Sequence, residues 1–322
     1  MNRYVTCGFL LLFLCAFLSV SSAADVPSPR ALLERGRIDD AMVLLRARLE
    51  KTPGDAEAAN LMCRCHRATA NWNDALRLCE QAVRADPKNA EWHLWYARTS
   101  GEAADGAGWI RGARLASTAR SEFEEAVALA PASSDARRDL AEFYLRAPAI
   151  VGGSVEAAAR QADAIAASDP SRAHEIRGRV AEAGGDHLRA EKEFHAAIDA
   201  APSSAEAWFE LAAWEDRRGH HEDARIAMKK LLEPTMTGTL GVRVDAARLV
   251  LDRDPALAAE LLRCYVAGTT AEEWPPFVAH TLLGGILEKR GDRAAALDEY
   301  RAALSLAGSY APARAAVARL SR

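Results

Sequence analysis

The stretch EAWFELAAWEDRRGHHEDA, residues 206–224, places its apolar and charged positions with the period of a helix. Trp208 and Ala212 are four residues apart, so they lie on one face of a helix and charged side chains occupy the other face. Gly219 has no side chain to oppose a left-handed backbone and predicts a tight reversal. A second amphipathic helix follows, with the small residue Ala224 on its inner side. The pattern predicts a helical hairpin whose two helices cross closely at the alanines.

The two tryptophans of this hairpin have different expected positions. Trp208 is predicted to fill the core, in the wider space beyond the alanine crossing. Trp214 has two open interpretations, which are packing against the neighbouring hairpin or lining a surface.

The spacing recurs along the chain with a period of 34 residues. Pro53 and Pro87 are 34 residues apart, and so are Ala190 and Ala224. A fixed period of this length is typical of arrays in which each unit is a helical hairpin that buries its apolar face against the next unit. The sequence therefore predicts a row of stacked hairpins without a central β-sheet.

The repeating residues resemble the tetratricopeptide repeat (TPR) pattern of large, small and glycine positions. Residues 205–234 match it with Trp208, Leu211, Ala212, Gly219, Ala224, Met228, Leu231 and, two places early, Pro234. Residues 279–308 match it with Leu283, Gly284, Leu287, Gly291, Ala296, Tyr300 and Ala303. The resemblance implies an all-α fold, a right-handed α-solenoid of about seven to eight hairpins with a C-terminal capping helix.

The repeat phase divides the chain into a leader, an array with two insertions and a less regular end. The predicted parts are a signal peptide at 1–23, a TPR array at 24–234 with insertions near 100–118 and 146–158, a degenerate helical repeat at 235–273, and a C-terminal TPR with its capping helix at 274–322.

The leader has the organisation of a secretory signal. Arg3 precedes an unbroken apolar run at residues 8–20, and small residues follow at 21–24. The run of 13 residues is shorter than the roughly 20 needed to span a bilayer, so a retained anchor is the weaker alternative. We expect an exported bacterial protein, periplasmic or secreted, without a membrane span once the signal is removed.

Composition and charge exclude several function classes. Half of the residues are apolar, which predicts a folded chain, and the formal net charge of −4 is scattered rather than clustered, so we expect no nucleic-acid partner. Three short stretches miss the spacing of a known site: GAGWIRG of a dinucleotide loop, CRCH of a haem attachment, and HHED of a metalloprotease helix. We therefore expect no enzyme activity, no catalytic residues, no cofactor and no metal.

The TPR resemblance implies that the first helix of each hairpin lines a concave groove that binds a peptide. The corresponding positions here are Asn60, Arg64, Arg67, Leu94, Arg98, Arg138, Glu142, Phe209, Ala213 and Asp216. Arginine recurs among them, and a guanidinium binds a carboxylate through two hydrogen bonds, so an acidic segment is one candidate ligand. The alternative is that neighbouring carboxylates neutralise these arginines, which outnumber lysines by 35 to 6 throughout the chain.

The two insertions are a second candidate surface. They contain Trp109 in the first and Ile150 and Val151 in the second. Longer connections of a solenoid fall on one edge and often carry function. The alternative is that both insertions only lengthen helices and pack on each other.

Export makes a disulfide possible between Cys63 and Cys79. The repeat phase places these residues on facing helices of one hairpin, on its internal side. The alternative is a pair of buried free thiols.

Together these patterns predict a non-enzymatic scaffold outside the cytoplasm that holds a protein or peptide on its concave face. The alternative is a regulatory or accessory subunit that docks on an envelope enzyme or export complex through the two insertions. The identity of the partner and the oligomeric state do not follow from one sequence.

Overall fold

Seventeen α-helices and one 3₁₀ turn make up the computed structural model, which describes residues 27–239, 241–268 and 274–322. Sixteen helices form eight hairpins, which we number from the N-terminus: α1 Pro29–Glu34 with α2 Ile38–Lys51, α3 Ala56–Ala68 with α4 Trp72–Ala85, α5 Ala90–Asp105 with α6 Trp109–Leu129, α7 Ser134–Arg146 with α8 Val155–Ile165, α9 Pro170–Ala183 with α10 His187–Ala200, α11 Ala205–Arg217 with α12 His221–Lys230, α13 Val242–Val250 with α14 Pro255–Ala267, and α15 Pro276–Lys289 with α16 Arg293–Leu306. The helix α17, Ala311–Leu320, follows the eighth hairpin, and the 3₁₀ turn is Ala149–Val151.

The predicted all-α repeat fold is confirmed, with eight hairpins in the described part of the chain. The predicted leader at residues 1–23 lies outside the described residues, as do residues 269–273 of the degenerate segment.

Side-chain caps set the start of the first helix in most hairpins. Asp55 accepts a hydrogen bond from the backbone N–H of Ala58 at 2.9 Å, and Ser204 caps α11 in the same way. A proline lies two residues before each of these caps, where it cannot continue the preceding helix. Hairpin five differs, because Pro170 is the first residue of α9 itself and Asp169 is the cap.

A small residue on the first helix packs against a large side chain of the second helix. This contact sets how closely the two helices of the hairpin cross. A Cβ atom at Gly178 would lie 2.6 Å from a ring carbon of Phe194, and one at Gly284 would lie 2.8 Å from a ring carbon of Tyr300. Both pairs are 16 residues apart. The helices cross at a distance that only glycine permits at these two points, because a side chain there would overpack the core.

Hairpin six has Trp214 in one of its two expected positions, packed against the neighbouring hairpin, whereas Trp208 does not fill the core as expected. Trp214 is 2% exposed and packs against Phe194 of hairpin five, with ring centroids 5.8 Å apart. Trp208 is only half-buried, because it lies near the start of α11 and its indole N–H donates to the carbonyl of Pro202 in the loop, at 2.9 Å. The reversal expected at Gly219 is present, with φ of +83°.

The first and last hairpins touch, so the row of hairpins closes into a ring. Phe277 at the start of α15 is fully buried in one core with Leu32 and Leu33 of α1. Its ring also packs on Tyr310, which precedes α17, with centroids 4.7 Å apart. We call this junction between hairpins one and eight the seam.

Backbone and polar contacts complete the seam. Ser309 donates its hydroxyl and its backbone N–H to the two carboxylate oxygens of Asp39, at 2.7 and 3.2 Å. Gly36 passes so close to Pro276 that a Cβ atom at residue 36 would lie 2.7 Å from the proline ring. Gly36 and Asp39 lie at the turn within hairpin one, whereas Pro276 begins α15 and Ser309 follows α16, both at the opposite edge of hairpin eight. The two ends therefore overlap along the ring axis.

The seam predicts that Phe277→Ala opens the ring. Truncating a fully buried phenylalanine costs on the order of 3–5 kcal/mol, and here the lost contacts join the two ends. We expect the radius of gyration and maximum dimension measured by small-angle X-ray scattering to increase while helical circular dichroism is retained. Leu283→Ala is the control, because Leu283 is equally buried in hairpin eight but belongs to a different core. Equal dimensions for both variants would contradict the role of the seam.

Candidate functional site: the central cavity

The ring encloses a central cavity of about 1410 Å³, larger than the roughly 300–1,000 Å³ of most small-molecule pockets. The first helices of the hairpins provide most of its wall, and Trp274 and Tyr310 add aromatic rings. The charged wall residues discussed below are Arg98, Arg138, Asp139, Glu142, Glu175, Arg179, Glu210, Asp245 and Arg248. The size and the charged wall suit a polypeptide segment.

Half of the groove positions expected from the sequence lie on this wall, namely Arg67, Arg98, Arg138, Glu142 and Phe209. The three insertion residues Trp109, Ile150 and Val151 line the same cavity. The groove and the insertions, which the sequence treats as separate surfaces, are therefore parts of one site.

The other five groove positions do not line the cavity: Asn60, Arg64, Leu94, Ala213 and Asp216. Asn60 and Ala213 are buried between helices, and Leu94 is partly buried against the core of hairpins three and four. Arg64 is 4% exposed and stacks on Trp95, with its guanidinium carbon 4.4 Å from the ring centroid. Asp216 is held by Arg253 at 2.6 Å, away from the cavity wall.

Asp139 is clamped between two arginines of the wall. Arg98 of hairpin three donates to it at 2.6 Å and Arg138 at 2.9 Å. Burial alone would raise the pKa of Asp139, but the charges of Arg98 and Arg138 outweigh burial and hold that pKa below its usual range. The guanidinium groups are thus engaged within the protein, as expected in the alternative that carboxylates neutralise them.

Arg179 joins three hairpins across the wall. Its guanidinium lies 2.9 Å from Glu142 of hairpin four and 3.3 Å from Glu210 of hairpin six, while Arg179 itself belongs to hairpin five. Because one guanidinium bridges two carboxylates on neighbouring hairpins, it fixes the relative positions of the three helices. The wall therefore keeps a defined shape across this part of the ring.

At least one acidic side chain of each hairpin lines the wall from hairpin four to hairpin seven, and four of them lie at similar places in the repeat. These residues are Asp139, Glu175, Glu210 and Asp245, and the last three are each 35 residues apart. The expected groove positions omit all four, although an acidic residue recurring near the repeat period was a usable signal. The wall therefore alternates carboxylates with the arginines described above.

Glu175 is the least compensated of these carboxyl groups. It is 5% exposed, and its contact with Arg172 is long, at 3.3 Å. Burial raises the pKa of Glu175 to about 8, with Arg172 opposing the shift and Glu210 adding to it. At neutral pH this group holds its proton, so it offers the cavity a hydrogen-bond donor as well as an acceptor.

Trp274 anchors the far side of the wall. Its indole N–H donates to Asp245 at 2.9 Å, and the guanidinium carbon of Arg248 lies 4.7 Å from the ring centroid. Burial raises the pKa of Asp245, although the hydrogen bond from Trp274 opposes the shift. The three side chains form a stacked polar surface that suits an aromatic or charged group of a ligand.

Both insertions lie at the edge of the ring formed by the turns within hairpins. The first lengthens α5 to 16 and α6 to 21 residues, and the second forms the loop that holds the 3₁₀ turn. Gly152 after that turn lies against Arg120 of α6, just beyond the first insertion, so the second insertion packs on the helix that the first one lengthens. Trp109 and Ile150 nonetheless remain 81% and 86% exposed at the mouth of the cavity.

A disulfide joins Cys63 of α3 to Cys79 of α4, with Cα atoms 5.3 Å apart. The two residues are 16 apart, the same spacing as the small and large pairs Gly178–Phe194 and Gly284–Tyr300. A covalent bond therefore replaces the small–large contact at the crossing of hairpin two.

The histidine stretch of hairpin six forms a small cluster on the outer surface. Ligand atoms of Glu215, His220 and Asp223 lie within 4.8 Å of one another, and His220 Nδ1 is 2.7 Å from Glu215. His220 and Asp223 are exposed, so the hydrogen bond between His220 and Glu215 accounts for the arrangement without a metal.

Helical hairpins in a closed row, with charged first helices inside, define a helical-repeat protein. Two family profiles, both described as tetratricopeptide repeat, match residues 32–99 and 177–238. The chain therefore carries tetratricopeptide repeats, and the predicted resemblance is confirmed. No curated protein matches the sequence.

Solved structures resemble this chain at low sequence identity. Yeast Tom70 is 14% identical, with a TM-score of 0.51 over 94% of this chain and 66% of Tom70. A tetratricopeptide repeat protein from Parabacteroides merdae is 14% identical over 91% of this chain and 99% of its own, with a TM-score of 0.48. The human IFIT1 dimer with m7Gppp-AAAA is 17% identical over 87% of this chain and 72% of its own, with a TM-score of 0.43.

Within the described ranges, none of the helices combines the length and the apolar character that crossing a bilayer requires.

Glu175→Gln is predicted to remove a pH dependence of stability. Burial raises the folded pKa of Glu175 above its ordinary value of 4.5, to about 8, so the wild type loses stability as pH rises through that window. Glutamine keeps the shape without titrating. We expect the variant to equal the wild type near pH 4 and to exceed it above pH 8 by about 2–4 kcal/mol in denaturant unfolding. The exposed acid Asp199, replaced by Asn, is the control, and parallel curves for Glu175→Gln and wild type would refute the prediction.

The disulfide predicts selective protection of Cys79 from alkylation. In unreduced protein from its native source, unfolded in urea so that buried thiols also react, mass spectrometry after iodoacetamide is expected to show Cys264 modified and Cys79 unmodified, because Cys264 is a free thiol. Reduction should make Cys79 reactive and lower stability by about 3 kcal/mol, the loop-closure value for a crosslink of this span. An alkylated Cys79 before reduction would rule the bond out.

Proposed function

We propose that this protein is a non-enzymatic scaffold that holds a segment of a partner protein in the central cavity. Tetratricopeptide repeats generally mediate protein–protein interactions. The observation that supports the cavity as the binding site is the convergence of charged first helices from consecutive hairpins on one space of about 1410 Å³. The wall offers paired carboxylates and guanidiniums, the Glu175 carboxyl and the Trp274 surface, which together suit a polar segment of mixed charge.

We place the scaffold outside the cytoplasm, in the periplasm or secreted. The support is the leader pattern at residues 1–23 and the Cys63–Cys79 disulfide, because such bonds persist in oxidising compartments.

Site-specific photo-crosslinking in the producing cells tests the cavity. A photoreactive amino acid at Phe209, on the wall, is expected to crosslink one partner protein. The matched control is the same substitution at Ile226, which is 54% exposed on the second helix of the same hairpin. A partner captured equally from both positions, or from neither, would contradict binding in the cavity.

A second candidate function is an accessory subunit that docks through the insertions on an envelope enzyme or export complex. The exposure of Trp109 and Ile150 supports it. Replacing both insertions with short repeat turns distinguishes the two functions. Retained crosslinking at residue 209 favours the cavity wall beyond the insertions, and loss with an intact fold favours the insertions, which line the same cavity at its mouth.

A further inference from the structure

Four of the six large apolar side chains exposed on the described chain lie at one edge of the ring. They are Trp109, Ile110, Ile150 and Leu188, which are 70–86% exposed. All four lie where the two helices of a hairpin connect, in the consecutive hairpins three, four and five. We call this strip the apolar edge.

The apolar character is specific to these hairpins. Ile110 and Leu188 are both the second residue of the second helix of their hairpin. In the other six hairpins the same position is polar or small: Asp39, Asn73, Glu156, Glu222, Ala256 and Ala294. An exposed large side chain is therefore not a requirement of the repeat at this place.

Arginines accompany the apolar tips. Arg111 and Arg189 directly follow Ile110 and Leu188 in sequence, and the side chain of Arg146 is 66% exposed at the start of the loop that carries Ile150. The charged groups of this edge, basic and acidic, also make local contacts. Arg111 donates to Asn73 at 2.8 Å, and Arg189 lies 3.8 Å from Glu193. Glu156 accepts a hydrogen bond from Ser154 at 2.9 Å, Asp186 caps α10 through the N–H of Arg189, and Asp105 pairs with Arg146 at 3.6 Å.

The tips project from turns and do not line the floor of a pocket. The helix α6 has 21 residues, whereas the second helices of the other hairpins have 10–14, and the extra turns extend the Trp109 end by about 10 Å. Protein contacts concentrate their energy in side chains that fill preformed pockets. Separated tips of Trp, Ile and Leu with flanking arginines suit a bilayer interface, which deforms around each tip and offers phosphates to the guanidiniums.

We propose that the apolar edge docks on the surface of a phospholipid bilayer with anionic headgroups. Trp109, Ile110, Ile150 and Leu188 enter the headgroup region, and Arg111 and Arg189 contact lipid phosphates. The protein then lies on the membrane without spanning it, and the mouth of the cavity at this edge faces the lipid. The inference does not rest on the proposed function: Trp109 and Ile150 also line the cavity at its mouth, but docking on lipid does not require a partner segment inside the cavity.

Quenching of Trp109 by brominated lipids tests the proposal. The full chain is mixed with vesicles of equal parts phosphatidylglycerol and phosphatidylcholine, with brominated acyl chains. The difference in fluorescence between wild type and Trp109→Phe reports on Trp109 alone. Residues 1–26 contain no tryptophan, so binding of the predicted leader to the vesicles is not mistaken for binding of the apolar edge. We expect this difference signal to be quenched, and quenching to weaken with salt and in vesicles of phosphatidylcholine alone.

A matched pair of variants separates the edge from general hydrophobicity. The triple change Ile110→Ser, Ile150→Ser and Leu188→Ser is expected to weaken Trp109 quenching about tenfold in lipid concentration. The control Val43→Ser with Ile226→Ser removes exposed apolar side chains elsewhere and should stay within about twofold of wild type. Circular dichroism checks that both variants fold.

Three results would overturn the proposal. They are unquenched Trp109 in protein that pellets with the vesicles, equal quenching of the triple variant and wild type, and equal quenching by neutral and anionic vesicles. Burial of Trp109 by a captured protein and not by lipid would assign the edge to a protein partner instead.

Discussion

The close crossing of two helices within each hairpin is the constraint on which the rest of the structure depends. Gly178 leaves space for Phe194 and Gly284 for Tyr300, so the helices of these hairpins approach until a single Cβ atom would clash. In hairpin two, the Cys63–Cys79 bond occupies the equivalent pair of positions. Because this geometry recurs along the chain, each hairpin turns by a similar amount relative to the last. Seven such steps bring the eighth hairpin round to the first, and the cavity exists because the path closes.

The charged side chains inside the ring form ion pairs that hold the wall together, and the same side chains are the groups that a partner would contact. Arg98 reaches from hairpin three to Asp139 of hairpin four, and Arg179 links hairpins four, five and six. A partner that binds these groups must compete with or complement contacts already made. Recognition is therefore expected to depend on shape and on groups with unused hydrogen-bonding capacity, such as the Glu175 carboxyl, more than on the number of arginines.

Much of the fold follows from local sequence, and less of the site does. The 34-residue period, the caps and the reversal at Gly219 are local features, and they predict the hairpins and their number. The prolines do not show where hairpin five begins, because Pro170 lies inside α9 instead of two residues before its cap. The wall residue Glu175 is for that reason missing from the groove positions expected from the sequence. The seam joins Asp39 to Ser309, 270 residues away, and no local pattern carries such a contact. The burial of Trp214 in place of Trp208 likewise depends on the neighbouring hairpin.

Closure of the ring also determines how another molecule reaches its interior. An open solenoid presents a trough into which a long chain is laid from the side. Here the seam, with Phe277 and the Asp39–Ser309 contact, closes that lateral route. A continuous polypeptide therefore enters only when one of its ends or a narrow loop passes through a mouth of the cavity, or when hairpins one and eight separate. The lifetime of a threaded complex is then governed by the strength of the junction between the termini, far from any residue that touches the guest.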